Sequence, residues 1–263
     1  EVQRAIQLEQ DLARAIDRDE LRLALQAQVD CHEQLIGVEV LLRWRHESLG
    51  EISPAKFIPI AEETGLIVPI GRWVLEQGLK VLAELQRFKS SLTLSVNISP
   101  LQIRHPGFLS EVQDLIAKSD VDPRGLFLEI TESVFLTDPD LAQSRLEALR
   151  KLGIGIAIDD FGTGYSSLSY LKRLPVSELK IDQSFIAGLP DDEADIALVN
   201  IILAASRQLK LRIVAEGVET PAQAGFFIDS PDVAFQGYLF DRPNDAELWL
   251  KQWIPKASID EPN

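Results

Sequence analysis

The chain contains no methionine and one cysteine, Cys31. A single cysteine excludes an internal disulfide and fits a reducing compartment. Cys31 begins a turn with no basic neighbour to activate it, so it reads as inert. The three histidines, His32, His46 and His105, lack the spacing of a zinc site. Any metal is therefore expected to be a hard cation bound by oxygen. No apolar run reaches membrane length, and no secretory leader opens the chain. Without an opening methionine, the chain is expected to be a segment of something longer. Positive charge is the deficit that excludes most. Lys and Arg number 26 against 41 Asp and Glu, a net charge of −15. Such an acidic balance argues against a nucleic-acid polymer as partner. It permits a small phosphorylated substrate if metal ions supply positive charge.

What is present centres on Ile154–Leu171, I-G-I-A-I-D-D-F-G-T-G-Y-S-S-L-S-Y-L. A short apolar run ends in Asp159 and Asp160, and a glycine turn follows. This reads as a buried strand that delivers charge to its exposed end. Paired buried carboxylates repel unless a cation or proton lies between them, and oxygen-bound divalent metal is the simplest solution. The plainer alternative is a strand stopping in a solvated acidic turn. Gly162-Thr163-Gly164 lacks the third glycine of a dinucleotide fingerprint and follows two acids, so a mobile loop is expected there.

Apolar runs lie near 21–30, 37–44, 92–99, 126–131, 154–160, 178–182, 211–217 and 234–239. Helical periodicity appears near 2–20, 54–63, 67–88, 107–118, 138–151, 164–173, 192–209, 220–228 and 244–252. The short turn near Glu33 to Ile36 suits a hairpin between the first two runs. The rest alternates strand and helix, which predicts an α/β fold with a mostly parallel sheet. Eight strands fit a modified, TIM-like (β/α)8 barrel with an antiparallel first strand; a doubly wound open sheet is the alternative. The expected organisation is an amphipathic connector helix over 1–20, one domain over 21–255 and a loose polar tail over 256–263.

Strand side chains alternate between faces, and each run then contributes a polar group amid apolar neighbours. These are Gln26, Glu39 (with Leu41 and Arg43), Asn97, Glu129, Asp159, Lys180 (with Asp182), Glu216 and Gln236. One such residue is ordinarily a satisfied core group. Eight from eight strands would be a costly way to build only a core, and a barrel gathers such groups at one mouth. Glu39, Asn97, Glu129 and Asp159 are oxygen donors suited to Mg²⁺ or Mn²⁺, and Asp160 is placed to bridge to a second ion. Lys180 serves either charge balance or the placing of a water or phosphate oxygen. Glu216 is a spare carboxylate able to act as general base.

At these residues the chain resembles the EAL domain, a bacterial family of cyclic di-GMP phosphodiesterases. The segments are E-V-L-L-R-W, F-I-P-I-A-E-E-T-G-L-I, S-V-N-I-S, L-E-I-T-E-S, I-D-D-F-G-T-G-Y-S-S-L-S-Y-L, L-K-I-D, V-A-E-G-V-E-T and Q-G-Y-L-F-D-R-P, spread from Leu21 to Trp253. The resemblance implies metal ligation of one or two Mg²⁺ or Mn²⁺ ions by Glu39, Asn97, Glu129, Asp159, Asp160 and Glu216. It implies catalytic roles for Glu39, for Lys180 at the attacking water and for Glu216 as base. It implies substrate contacts from Gln26, Leu41, Arg43, Asp182, Glu219 and Gln236, with Glu132 anchoring the loop after the fifth barrel strand. It further implies a homodimer, an upstream GGDEF or sensor domain and a cytoplasmic location for this domain, whether or not the parent is membrane-anchored.

Three positions depart from the family pattern. Val40 replaces alanine in the name motif, Leu25 replaces the tyrosine before Gln26, and Glu47 replaces a proline. Strand parity turns Val40 away from Glu39, so repacking against a helix is expected; loss of the tyrosine is expected to weaken nucleotide binding. The implied function is hydrolysis of cyclic di-GMP to linear pGpG. The alternatives are a receptor that binds the dinucleotide without cleaving it, and a different Mg²⁺-dependent barrel enzyme.

Overall fold

The computed structural model describes residues 2–162, 171 and 174–254, the side chains of 2–5 excepted. The expected loop at 163–170, most of the helical pattern at 164–173 and the tail at 256–263 lie outside the described residues.

The strands are β1 (Leu21–Val29), β2 (Leu35–His46), β3 (Gly50–Ile52), β4 (Thr93–Asn97), β5 (Leu126–Thr131), β6 (Gly155–Phe161), β7 (Glu178–Ile181), β8 (Arg212–Ala215), β9 (Val233–Phe235) and β10 (Asn244–Asp245). From β2 through β4, β5, β6, β7 and β8 to β9, every neighbour is parallel. β1 is antiparallel to β2, from Leu21 opposite Trp44 to Ala27 opposite Val38. It is also antiparallel to β9, with Val29 opposite Phe235. β1 thereby closes eight strands into a barrel, and the open-sheet alternative is excluded. β3 and β10 are short additions on the flanks of β2 and β1.

The outward strand residues supply the core. Val38, Val40, Leu94, Val96, Leu128, Ile156, Ile158, Leu179 and Ile213 are all nearly inaccessible. The Ile67–Phe88 helix buries Ile70, Val74, Leu75, Leu79, Leu82 and Leu85 against them, the stripe that 3.6-residue periodicity demands. Val40 meets this helix at Gly78, where a Cβ would lie 3.9 Å from Val40 Cγ2. The larger side chain in the motif is thus met by the smallest residue on the helix.

Several sequence boundaries move. The N-terminal helix spans Val2–Leu12 and gives way to turns before β1, rather than running to residue 20. Its end is tied to β2 through Asp11 and His46, 3.3 Å apart, and His46 Nδ1 accepts the Ser48 and Leu49 amides. The runs at 178–182, 211–217 and 234–239 stop as strands at Ile181, Ala215 and Phe235. Asp182, Glu216 and Gln236 therefore sit just beyond strand ends, where the backbone opens into the mouth. Among the described residues, no helix is long and apolar enough to cross a membrane.

Candidate active site

Lys180, on β7, is the hub. Its Nζ lies 2.6 Å from Glu129, 2.6 Å from Glu216, 3.3 Å from Glu39 and 3.6 Å from Asp159. Four barrel strands or their ends thus send carboxylates to one buried ammonium, itself only 1% exposed. Asn97 adds to the set by donating Nδ2–H to Glu39 at 2.7 Å, which leaves its carbonyl oxygen as the free donor for a cation. Register explains the meeting: Glu39 is level with Gln26 and Ser95, Asn97 with Glu129, and Thr131 with Asp159.

Two consecutive acids on a straight strand would face opposite ways. Asp159 and Asp160 do not, because β6 carries an extra residue against β7 between Ile158 and Phe161 and Asp160 adopts a φ of 54°. A bulge of this kind re-aims side chains beside functional sites. It brings oxygen atoms of Asp159, Asp160 and Glu216 within 4.8 Å of one another.

The electrostatics show an excess of acid. Burial, with Glu39, Asp159 and Glu216 close by, holds Glu129 well above the carboxylate range despite Lys180. Burial pushes Glu216 up to about 8, against the pull of Lys180 and with the repulsion of Asp159 and Glu39. Burial and the neighbouring Asp159 and Asp182 raise Asp160 to about 6. Burial works the same way on Glu39, but Lys180 and hydrogen bonds from Gln236 and Asn97 outweigh it and leave that carboxyl lowered. Burial would strip Lys180 of its proton; the surrounding acids overcome that and hold its pKa well above the ordinary value.

This donor set fits a hard divalent cation. Lys180 pairs with four carboxylates and Asp160 adds a fifth acid beside Asp159 and Glu216, and Glu129 Oε1 is buried with no hydrogen-bond partner among the described residues. An orphaned carboxylate oxygen in an oxygen-only cluster is what a hard cation would satisfy.

Amide side chains fix the inner wall. Gln236 Nε2–H groups donate to Gln26 Oε1 and Glu39, and Gln236 Oε1 accepts from Gln28 at 3.0 Å. Gln26 in turn donates to the Asp241 carbonyl at 3.0 Å. Glu132 accepts the Gly162 amide, at the start of the loop it is expected to anchor.

Above the acids opens a cleft of about 310 Å³. Gln26, Leu41, Arg43, Asp182, Glu219 and Gln236 all line it, with Asp160 and Glu216 at the acid cluster. Arg43 donates to the Leu42 carbonyl and offers the rest of its guanidinium to this space. Asp182 also caps the Gln183–Ala187 helix through the Ser184 amide. Leu25 is fully buried on the face of β1 opposite Gln26 and is absent from the described lining. The leucine therefore bears on packing, not on the cleft wall. The lining residues missed in the sequence are Gln183, Gly217, Gly237, Tyr238 and Pro243. Gln183 opens the Gln183–Ala187 helix, and the other four lie in the loops that follow β8 and β9; the Q-G-Y segment was the available signal for Gly237 and Tyr238.

Fold and site together define a (β/α)8-type barrel with an oxygen-donor cluster suited to a hard divalent cation at its mouth. Residues 9–243 match the EAL domain family, and the chain belongs to that family. It is 46% identical over 250 residues to the bifunctional diguanylate cyclase/cyclic di-GMP phosphodiesterase MucR of Pseudomonas aeruginosa, covering 94% of this chain and 36% of that protein. It is 37% identical over 262 residues to the cyclic di-GMP phosphodiesterase NbdA of the same organism, covering 97% and 32%. The chain thus spans roughly a third of the length of these curated relatives. The solved MucR phosphodiesterase in complex with c-di-GMP aligns with a TM-score of 0.88, covering 93% of this chain and all of that one. An EAL enzyme in a form bound to cAMP and cyclic di-GMP aligns with a TM-score of 0.89 at 33% identity, covering 96% and 69%.

Proposed function

We propose that this domain is a metal-dependent phosphodiesterase that hydrolyses cyclic di-GMP to linear pGpG as the output of a bacterial signalling protein. The observation that carries the reading is the convergence of Glu39, Glu129, Asp159 and Glu216 on Lys180 beneath the cleft. Membership of the EAL family, at 46% identity to a solved phosphodiesterase in complex with c-di-GMP, supports it.

Glu39, Asn97, Glu129, Asp159, Asp160 and Glu216 would hold one or two Mg²⁺ or Mn²⁺ ions. Such an ion, when bound, supplies Lewis-acid charge at the phosphate and acidifies a water. The protein groups do the rest. Lys180 directs hydrogen bonds toward the attacking water. Glu216, acting as the carboxylate, takes the proton as water oxygen joins phosphorus and the bond to the ribose 3′ oxygen breaks, that oxygen gaining a proton from solvent. Arg43 lines the cleft as a planar donor suited to a phosphate oxygen. Gln26, Leu41, Asp182, Glu219 and Gln236 contact the substrate, and Glu132 holds the loop after the fifth barrel strand.

The functional unit is residues 21–255, entered through the Val2–Leu12 helix and the turns after it, in a homodimeric, cytoplasmic assembly whose parent carries an upstream GGDEF or sensor domain. The greater length of the relatives supports an additional domain.

The test is incubation with cyclic di-GMP and Mg²⁺ followed by chromatography. We expect pGpG from the native chain, and none from Glu39→Ala or Glu216→Ala proteins that retain the native circular dichroism. Tight binding without pGpG would identify a receptor instead. Native-like turnover by either variant would remove that residue from the mechanism.

A further inference from the structure

The segment F-I-P-I-A-E-E-T-G-L-I, residues 57–67, gives no residue to the described cleft lining and no donor to the acid cluster. Packing explains part of it. Phe57 and Ala61 are fully buried, one turn apart on the Pro54–Glu63 helix. Thr64 Oγ1 donates to the Ile60 carbonyl at 2.6 Å, and Gly65 follows the helix end with a φ of 76°. Packing does not explain Glu62. This half-buried carboxylate accepts the Ser99 hydroxyl at 2.7 Å.

Ser99 stands two residues after Asn97, where the chain leaves β4. The turn there is held at each step. The Ile98 amide donates to the Glu129 carbonyl at 2.8 Å. The Ser99 amide donates to Gln102 Oε1 at 3.0 Å, and Ser99 Oγ accepts the Leu101 amide at 3.2 Å. Gln102 is itself buried beside Gly71, where any Cβ would collide with its side-chain amide. The Pro100–Arg104 helix that the turn opens has only five residues, too few to hold its own start. The Ser99 hydroxyl has one proton to give, and Glu62 takes it in a charge-assisted bond. Asn97 is exposed at the strand end, so burial does not fix its side chain. Its direction depends on the bond to Glu39 at 2.7 Å and on the backbone either side.

We propose that Glu62 is a positioning residue: through Ser99 it fixes the turn after β4 and so holds the Asn97 carbonyl oxygen toward the cation. This rests on the phosphodiesterase reading and its cation site, and adds what aims one of the ligands.

Mn²⁺ affinity is measured by calorimetry without substrate, on proteins whose circular dichroism is native. Glu62→Ala is expected to weaken binding about tenfold, the lower end of the range for outer partners of metal ligands. Ser99→Ala, which leaves Glu62 in place, is expected to match it. The double variant is expected to bind within about twofold of either single one, because both remove the same link. Glu62→Gln keeps an acceptor for the hydroxyl and is expected to stay within about threefold of native. The side-chain amide signals of Asn97 are followed by NMR in metal-free protein, assigned by their disappearance in Asn97→Asp. They are expected to shift in Glu62→Ala and to return in Glu62→Gln, which a general loss of stability would not produce.

Native-like Mn²⁺ affinity in Glu62→Ala would overturn the assignment. So would Glu62→Gln as weak as Glu62→Ala, which would make the charge and not the bond responsible. Additive losses in the double variant would break the path through Ser99, and unmoved Asn97 signals would break it at Asn97. If the native chain bound Mn²⁺ but yielded no pGpG, the hydrolytic reading would fall while the affinity ratios still decided the link. If it bound no Mn²⁺, the proposal would fall with the cation site.

Discussion

Lys180 shows how much a single residue carries here. Its ammonium is surrounded by carboxylates from β2, β5, β6 and the end of β8. Removing one partner of a buried charge network leaves the others uncompensated. Lys180→Met is therefore expected to destabilise the metal-free fold by about 3–5 kcal/mol, and urea unfolding measures it. Excess divalent cation should recover part of that loss, since it supplies the missing positive charge. The same crowding makes stability depend on pH. Glu216 keeps its proton in the folded state up to about 8 and Asp160 to about 6, against ordinary values of 4.5 and 3.8. Across that window the folded chain binds more protons than the unfolded one. Their contribution is full below the ordinary carboxyl values and is lost as pH rises through 6 and then 8. Metal-free melting temperatures should fall across this range, and less steeply in Glu216→Gln. Mg²⁺ should raise the melting temperature more at pH 8 than at pH 5, because the cation takes the place of the proton. Equal slopes in the two proteins would contradict this account.

At the level of single elements, β6 is the strand most constrained by its sequence. Gly155 lies against Phe127 so closely that a Cβ would be 2.6 Å from the ring. Phe127 in turn lies beneath Arg212, whose guanidinium is 5.6 Å from the ring centre and bonded to buried Glu178 at 3.1 Å. The guanidinium opposes movement of the ring, so Gly155→Ala is expected to cost about 1–3 kcal/mol by overpacking, measured by denaturant unfolding. Much of the barrel was legible in the residues. Strand parity assigned Glu39, Glu129, Asp159 and Lys180 to one interior, and the helices at 54–63 and 67–88 have the boundaries their periodicity implies. The bulge that turns Asp160 alongside Asp159 was not legible, because it depends on register with β7. The Pro100–Arg104 helix was readable but missed: Ser99-Pro100-Leu101-Gln102 forms a capping box with proline in the first turn. β3 and β10 are too short for any period to show.

Across the whole molecule, a strongly acidic chain gathers Glu39, Glu129, Asp159 and Glu216 at one mouth and surrounds one ammonium with them. The antiparallel β1 is part of that design. By running against its neighbours, it brings Gln26 level with Glu39 and lets Gln236 bridge the two. The central claim is that this rim holds a hard divalent cation where a phosphodiester can reach it. Anomalous diffraction from crystals soaked in Mn²⁺ tests that claim most directly. The account predicts a manganese peak ligated by Glu39, Asn97, Glu129 and Asp159. A saturating soak that leaves those side chains without a peak between them would contradict it.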